Sequence, residues 1–394
     1  MPEKNEPYVL WLASAWPNRL LPYNGDFVMR HAQATSAFVK IHVVSVVRDV
    51  SGVVTKTVLR EEKTTGGLTE TIIYYYCPKG IIPVANTFRS LLQYRGLLRE
   101  SVRQVFNENG MPRCVHVHWG MKAGLEAMYV KRKWKIPYIV TEHWTGFLPE
   151  ASDHFGNQRA IIRKTWTRLL YGATECQVVS ATLKDAMLKR FPGLSVSVIP
   201  NVTDTRIFFP REMPVHAKRF IHVSGLDDFK DPGTLLHAFQ QLLKQVPDAE
   251  LFIYGSEKKE FLQLAETLGI SDQVRFHAEV PQQVLAEAFN TSAALILCSR
   301  YETFGCVQTE ANACGLPVIV SDLPVFRERV REGVNGSLVP SGDPAALAAA
   351  MLRIIKGDAH WNKDLIARET AEKYAYPVIG KMIAASYEQI VPLN

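Results

Sequence analysis

The stretch from 293 to 322, AALILCSRYETFGCVQTEANACGLPVIVSD, constrains the fold more than any other part of the chain. Ala293 to Cys298 is an unbroken apolar run of strand length, the pattern of a parallel strand buried on both faces. A polar turn follows from Ser299 to Thr303, and from about Gly305 the spacing becomes helical until Gly315 and Pro317 supply stop signals. Pro317 to Val320 then reads as the next strand. In such a strand–helix–strand unit the ligand crevice lies at the carboxyl ends of the strands. Glu302 is therefore expected on a loop above the sheet, and Glu310 one to two turns into the helix.

The predicted helix opens at Phe304, Gly305, Cys306 and Val307, where N–H groups lack helical partners and the macrodipole is positive. Such a terminus suits an anion, most naturally a phosphate. Two acids beside it make poor anion ligands but good acceptors for hydroxyl groups. A ligand carrying both phosphates and many hydroxyls is a nucleotide sugar.

Glu302, seven residues and Glu310, set in SRYETFGCVQTEANACGLPVI, resemble the E-x7-E motif of the family 4 retaining glycosyltransferases. The flanking Thr303-Phe304-Gly305 and Ala313-Cys314-Gly315-Leu316-Pro317 make the likeness specific, since two glutamates at that spacing alone carry little information. The resemblance implies the α/β GT-B fold, two Rossmann-like doubly wound domains facing a central cleft. It also implies metal-independent transfer from a nucleoside diphosphate sugar, with no separate cofactor. Under it, Glu310 holds the ribose hydroxyls and Glu302 a sugar hydroxyl. Lys230 and the amides from Phe304 to Val307 stabilise the departing diphosphate.

The length of 394 residues suits two domains, and 47% hydrophobic with 21% charged residues is an ordinary globular composition. The expected division is 1–202 plus a returning C-terminal helix, 377–394, against 203–376. The N-terminus lacks a secretory pattern and no run approaches the roughly 18 apolar residues of a membrane span, so a cytoplasmic protein is expected. Six cysteines show no C-x-x-C pair, which favours small buried thiols over disulfides or zinc.

Charge is unevenly spread. Residues 1–202 carry 26 Lys and Arg against 15 Asp and Glu, whereas 203–394 carry 19 against 24. A basic half points to nucleic acid or an anionic membrane surface; the membrane reading, with no nucleic acid, fits a lipid-linked acceptor. Two basic clusters would carry it. Arg95, Arg99 and Arg103 fall on one face of an amphipathic helix from Pro83 to Phe106, where like charges repel mildly and call for compensation. Lys131-Arg132-Lys133-Trp134-Lys135 adds a tryptophan suited to a headgroup boundary.

Strand Val9 to Ala13 leads into a loop containing Gly25, which lets backbone approach a ligand closely. Asn24-Gly25-Asp26-Phe27 resembles the family's donor-facing segment. Cys114 to Trp119 reads as a strand with His116 and His118 on one face. Such a His-x-His pair suits a metal, but no third ligand follows at a recognisable spacing, so no metal is expected. By position, His118 matches the family's histidine lining the sugar. His143 ends the next strand in the same way, and the linker Ile199-Pro200-Asn201-Val202-Thr203-Asp204 resembles the family's Pro-Asn-Gly-Val-Asp without its glycine. His143 and Asn201 are candidate cleft residues.

In the loop Ser224 to Thr234, Lys230 matches the family lysine while Gly225 stands where an arginine is usual. Glu250 to Ser256 and Val274 to Pro281 resemble the region that holds the nucleotide base. The chain contains no G-x-G-x-x-G, no Walker lysine motif and no Asp-x-Asp. Two alternatives remain at this point: a nucleotide-sugar epimerase or hydrolase on the same fold, and a non-catalytic glycan- or membrane-binding protein.

Overall fold

The computed structural model describes residues 7–80, 83–358 and 361–390, except for the side chains of 83–85. Its first part is β1 (Tyr8–Ala13), α1 (Asp26–Thr35), β2 (Lys40–Asp49), β3 (Val58–Thr65), β4 (Leu68–Tyr76) and α2 (Pro83–Asn109). Then follow β5 (Val115–His118), α3 (Gly120–Trp134), β6 (Tyr138–Glu142), α4 (Ala160–Gly172), β7 (Glu175–Val178), α5 (Ala181–Arg190) and β8 (Val196–Val198). The second part holds β9 (Arg219–Ser224), α6 (Pro232–Leu243), β10 (Glu250–Gly255), α7 (Lys259–Thr267), β11 (Val274–His277), α8 (Gln282–Thr291) and β12 (Ala294–Leu297). It continues with α9 (Cys306–Ala313), β13 (Val318–Ser321), α10 (Pro324–Arg327), β14 (Gly336–Val339) and the helices α11 (Pro344–Lys356), α12 (Lys363–Tyr374) and α13 (Tyr376–Ile390).

Two sheets result. One has the order β3-β4-β2-β1-β5-β6-β7-β8, parallel except for the β3–β4 hairpin; the other, β11-β10-β9-β12-β13-β14, is parallel throughout. The stretch 40–76, for which the motif reading makes no assignment, supplies β2, β3 and β4. Strand β8 stops at Val198, and its continuation becomes the linker.

Alternation along each strand explains the layers. Tyr8, Leu10 and Leu12 of β1 pack with Leu98, Val102 and Val105 of α2, while Val9, Trp11 and Ala13 face Val28 and Ala32 of α1 and Ile379 and Ile383 of α13. In β12, Ala294 and Ile296 join α6 and α11, and Leu295 and Leu297 join α8 and α9. Strands buried on both faces need the continuous apolar runs seen in the sequence. Helix α13 closes back on the first sheet's layer: Tyr387 Oη lies 2.6 Å from His116 Nδ1, and Ser386 Oγ accepts from Gln177 Nε2 at 2.9 Å.

Strand order reverses between β1 and β5 in one sheet and between β9 and β12 in the other. A crevice opens at such a reversal, outside the carboxyl ends of the strands. The loop holding Gly25 follows β1 and His118 ends β5; Lys230 follows β9 and Glu302 follows β12.

Candidate active site

The loop from Ser299 to Gly305 carries the chain from β12 into α9, and Gly305 turns it with φ 81° as the N-cap. A side chain there would be strained twice, by the left-handed backbone and by a Cβ 2.9 Å from the Phe326 ring. Arg329 braces the loop: its guanidinium lies 4.2 Å from the Phe304 ring centroid, donates to the Phe304 carbonyl, and donates to Gln308 Oε1 at 3.1 Å. Glu302 sits on this loop in an ion pair with Lys230, and its Oε1 accepts from the Thr303 N–H at 3.0 Å. Burial alone would raise the Glu302 carboxyl, but Lys230 and the N–H groups of Thr303 and Phe304 outweigh it and hold it below the ordinary range.

Glu310 is buried on α9, and its partner comes from the other sheet's layer. Arg30 Nη1 donates to Glu310 Oε1 at 2.6 Å, and Arg30 Nη2 to Asp26 Oδ2 at 2.6 Å. Burial pushes the Glu310 carboxyl up, and Arg30 only partly opposes this. Arg30 stands one turn after Gly25, whose φ of 75° and tight approach to the Ala15 carbonyl leave no room for a Cβ. Further contacts tie the two parts together: Gln282 Nε2 donates to Asp26 Oδ2 at 3.4 Å, Thr203 Oγ1 to Thr309 Oγ1 at 2.7 Å, and Asn201 Nδ2 to Cys306 Sγ at 3.3 Å. Burial raises the Cys306 thiol to about 12, so it is neutral and no nucleophile. At the linker, where the family glycine is absent, the Thr203 N–H donates to the Tyr374 carbonyl at 2.9 Å, and Asp204 begins a turn in which the N–H groups of Ile207 and Phe208 donate to its carbonyl at 3.0 and 2.8 Å.

His118 is fully buried, stacked on Trp11 at 4.1 Å between ring centroids, and neither of its ring nitrogens has a hydrogen-bond partner. His143 is half-buried beside it, with both nitrogens likewise unpartnered. Burial, reinforced by neighbouring histidines, holds both rings well below the usual imidazole range, hence neutral. The imidazoles of His31 and His143 both approach His118; no sequence spacing marks the three as a set, because His31 comes from α1 and His143 follows β6. His116 is not of that set, because Tyr387 Oη and Thr141 Oγ1, each at 2.6 Å, engage both its nitrogens.

A cavity of about 200 Å³ lies at the carboxyl ends of β9 and β10, lined by Tyr23, Gly225, Gly255, Val280, Leu285 and Val307 among others. Gly225 leaves this wall open. Lys258, on the loop after β10, reaches the same loop, donating to the Leu226 carbonyl at 2.8 Å and to Asp227 Oδ1 at 3.1 Å. Cys77, Cys114, Cys176, Cys298 and Cys314 are buried free thiols and Cys306 is half-buried.

The basic stripe on α2 has its compensation on α3. Arg99 pairs with Glu126 at 3.0 Å and covers the Tyr129 ring at 3.9 Å, and Arg103 donates to Tyr129 Oη at 3.4 Å. Lys131 donates to the Gly172 carbonyl at 2.7 Å. Residues missed from sequence are Arg30, Arg329 and His31; the one available signal was that Arg30 and His31 directly follow the Gly25 loop.

The Glycosyltransferase Family 4 model matches residues 7–207, and the Glycosyl transferases group 1 model matches 204–376. The chain is 29% identical over 291 residues to a D-inositol 3-phosphate glycosyltransferase of Frankia alni, covering 66% of this chain and 70% of that one. It is 28% identical over 295 residues to an N-acetyl-alpha-D-glucosaminyl L-malate synthase of Bacillus anthracis, covering 70% and 73%. Two other D-inositol 3-phosphate glycosyltransferases, of Thermomonospora curvata and Geodermatophilus obscurus, are matched over 62% of their length. Among solved structures, the sucrose-phosphate synthase of Thermosynechococcus elongatus superposes with a TM-score of 0.78 at 20% identity, covering 97% of this chain and 99% of that one. Anabaena HepE in complex with UDP and glucose superposes at 0.72 and 16% identity, covering 97% and 100%. With two mostly parallel sheets joined at a cleft and family models matching from 7 to 376, this chain is a GT-B protein that belongs to glycosyltransferase family 4.

Proposed function

We propose that the protein transfers a sugar, with retention, from a nucleoside diphosphate sugar to a glycan or lipid-linked acceptor, as in cell-surface polysaccharide synthesis, and does so without a metal at the diphosphate. The observation that carries this reading is the pairing of Lys230 with Glu302 at the mouth of α9, with Glu310 eight residues further along the same segment.

In this reading the diphosphate lies against the start of α9 and draws Lys230 off Glu302. The released carboxylate then accepts a hydroxyl of the sugar. Arg30 holds Glu310 Oε1, which leaves Oε2 for the ribose hydroxyls. A helix N-terminus contributes about 0.3–1 kcal/mol and a hydrogen bond to a charged group about 1.5–3 kcal/mol, so Lys230 outranks any single amide. Its fixed charge lies where negative charge develops on the leaving group, and this is where preorganised electrostatics acts best. The acceptor attacks from the face the diphosphate leaves, so no carboxylate nucleophile is required, and the neutral His118 lines the sugar from the other side. The nucleotide base fits the cavity at Gly225 and Gly255.

Thermal shift with a panel of nucleotide sugars, followed by product analysis with and without acceptor, tests this. A stabilising donor and an acceptor-dependent product with the donor's anomeric configuration are expected. Donor turnover unaffected by acceptor would favour an epimerase or hydrolase, and no nucleotide binding would favour a binding protein.

No helix among the described residues is long and apolar enough to cross a membrane. The proposed contact with an anionic membrane is peripheral. It is favoured by the exposed Phe88, Leu91 and Leu92 on the first turns of α2, beside Arg89 and Arg95. Flotation with anionic vesicles at low salt is expected, and its absence would remove this part of the proposal.

A further inference from the structure

Three imidazoles from three elements meet at the carboxyl end of the first sheet: His31 on α1, His118 at the end of β5 and His143 after β6. Their ring centroids lie 6.1 Å (His31 to His118), 5.8 Å (His31 to His143) and 6.1 Å (His118 to His143) apart, nearly an equilateral triangle. One nitrogen from each lies within 4.8 Å of the others.

Five of the six ring nitrogens have no hydrogen-bond partner: His31 Nδ1 and both nitrogens of His118 and His143. The sixth, His31 Nε2, lies 3.1 Å from the Pro200 carbonyl. A carbonyl only accepts, so Nε2 carries the proton and Nδ1 keeps its lone pair free. A backbone carbonyl fixing the remote nitrogen is the arrangement that orients histidines around bound metals. A buried polar group left unmatched costs about 1–3 kcal/mol, so five in one place call for an occupant. The surroundings do not supply one: Trp11 stacks flat on His118 with its own indole N–H unpartnered, and Phe27 lies 4.6 Å from the His143 ring. Burial keeps the three rings neutral, the form that binds metal. The nearby Arg30 charge is balanced by Asp26 and Glu310.

We propose that His31 Nδ1, His118 and His143 bind one divalent ion of the zinc class, Zn²⁺ or its substitute Co²⁺, with a fourth position left for water or a ligand oxygen. Three imidazoles with no carboxylate among them suit borderline ions and not Mg²⁺ or Ca²⁺. Metal–nitrogen bonds of about 2.1 Å in a tetrahedron set the nitrogens about 3.4 Å apart, so the side chains close by roughly an ångström on binding. All three ligands belong to the first sheet's layer, whereas Lys230 and Glu302 belong to the second, and the proposed ion takes no part in holding the diphosphate.

The test uses the full chain without a histidine tag, stripped with chelator. Calorimetric titration with Zn²⁺ should give one ion per chain, and Co²⁺ should develop the intense visible bands of four-coordinate cobalt. His31→Gln and His143→Gln should each weaken binding at least about tenfold. His237→Ala, at an exposed position on α6, should leave it unchanged. No heat and no four-coordinate spectrum with the native protein, or unchanged affinity in both cleft variants, would overturn the site. Because the readout is metal binding alone, its failure leaves the transferase reading standing, and the reverse holds as well.

Discussion

Arg30 Nη1 lies 2.6 Å from Glu310 Oε1, and both side chains are almost wholly buried. This ion pair joins the first helix of one sheet's layer to the helix that opens toward the proposed donor, across 280 residues of sequence. Removing one partner of a buried pair strands the other's charge, typically at about 3–5 kcal/mol. Arg30→Met should therefore lower stability by about that amount, since burial, which already pushes the Glu310 carboxyl up, then acts without the opposing guanidinium. The double variant Arg30→Met/Glu310→Gln should recover much of the loss. Urea unfolding of the two variants beside the native protein checks this, and a nearly neutral Arg30→Met would show that the pair is not formed in solution.

Lys230→Ala should lower turnover of bound donor at least about tenfold, equivalent to about 1.4 kcal/mol of transition-state stabilisation. Glu310→Ala should mainly weaken donor binding, since it removes a ribose acceptor and also strands Arg30. Steady-state kinetics separates the two effects, and near-normal values for both variants refute the assignment.

Gly305→Ala tests the turn into α9 without touching charge. With φ at 81° and a Cβ 2.9 Å from the Phe326 ring, the substitution should cost about 1–3 kcal/mol locally. It should weaken nucleotide binding more than overall stability, as read by calorimetry and thermal melting.

His222 predicts a pH dependence. Buried in β9, with Nδ1 2.9 Å from the Ile296 carbonyl and Nε2 2.7 Å from Ser224 Oγ, it falls from 6.5 to about 4 through burial and, to a lesser degree, the charge of Lys230. The unfolded chain thus takes up a proton near pH 6.5 that the folded chain accepts only near 4. The contribution is full above 6.5 and is lost as pH falls toward 4, amounting to about 2 kcal/mol between pH 7.5 and 5. In urea unfolding at those two pH values, His222→Gln should lose less stability than the native protein by that amount.

Local pattern sufficed where one strand–helix–strand unit was concerned. The run at 293–298 is β12, the stop signals at Gly315 and Pro317 precede β13, and Gly305 does cap α9, so Glu302 and Glu310 occupy the loop and helix positions their spacing implied. Arg95, Arg99 and Arg103 share the helix α2 as their spacing implied, while Glu126, the acid that pairs with Arg99, lies on another helix and carries no local signature.

By itself the sequence determined the alternation of strands and helices, the turn glycines and the E-x7-E segment, because each is set by neighbours within about ten residues. Tertiary structure alone decided who meets whom: Arg30 with Glu310, Lys230 with Glu302, and His31 with His118 and His143. The physical reason is that these partners sit on loops and helices ordered by the reversals in two parallel sheets. Crossover connections bring together residues whose separation along the chain follows no period, and charge or lone-pair complementarity is legible only once the sheets have placed them.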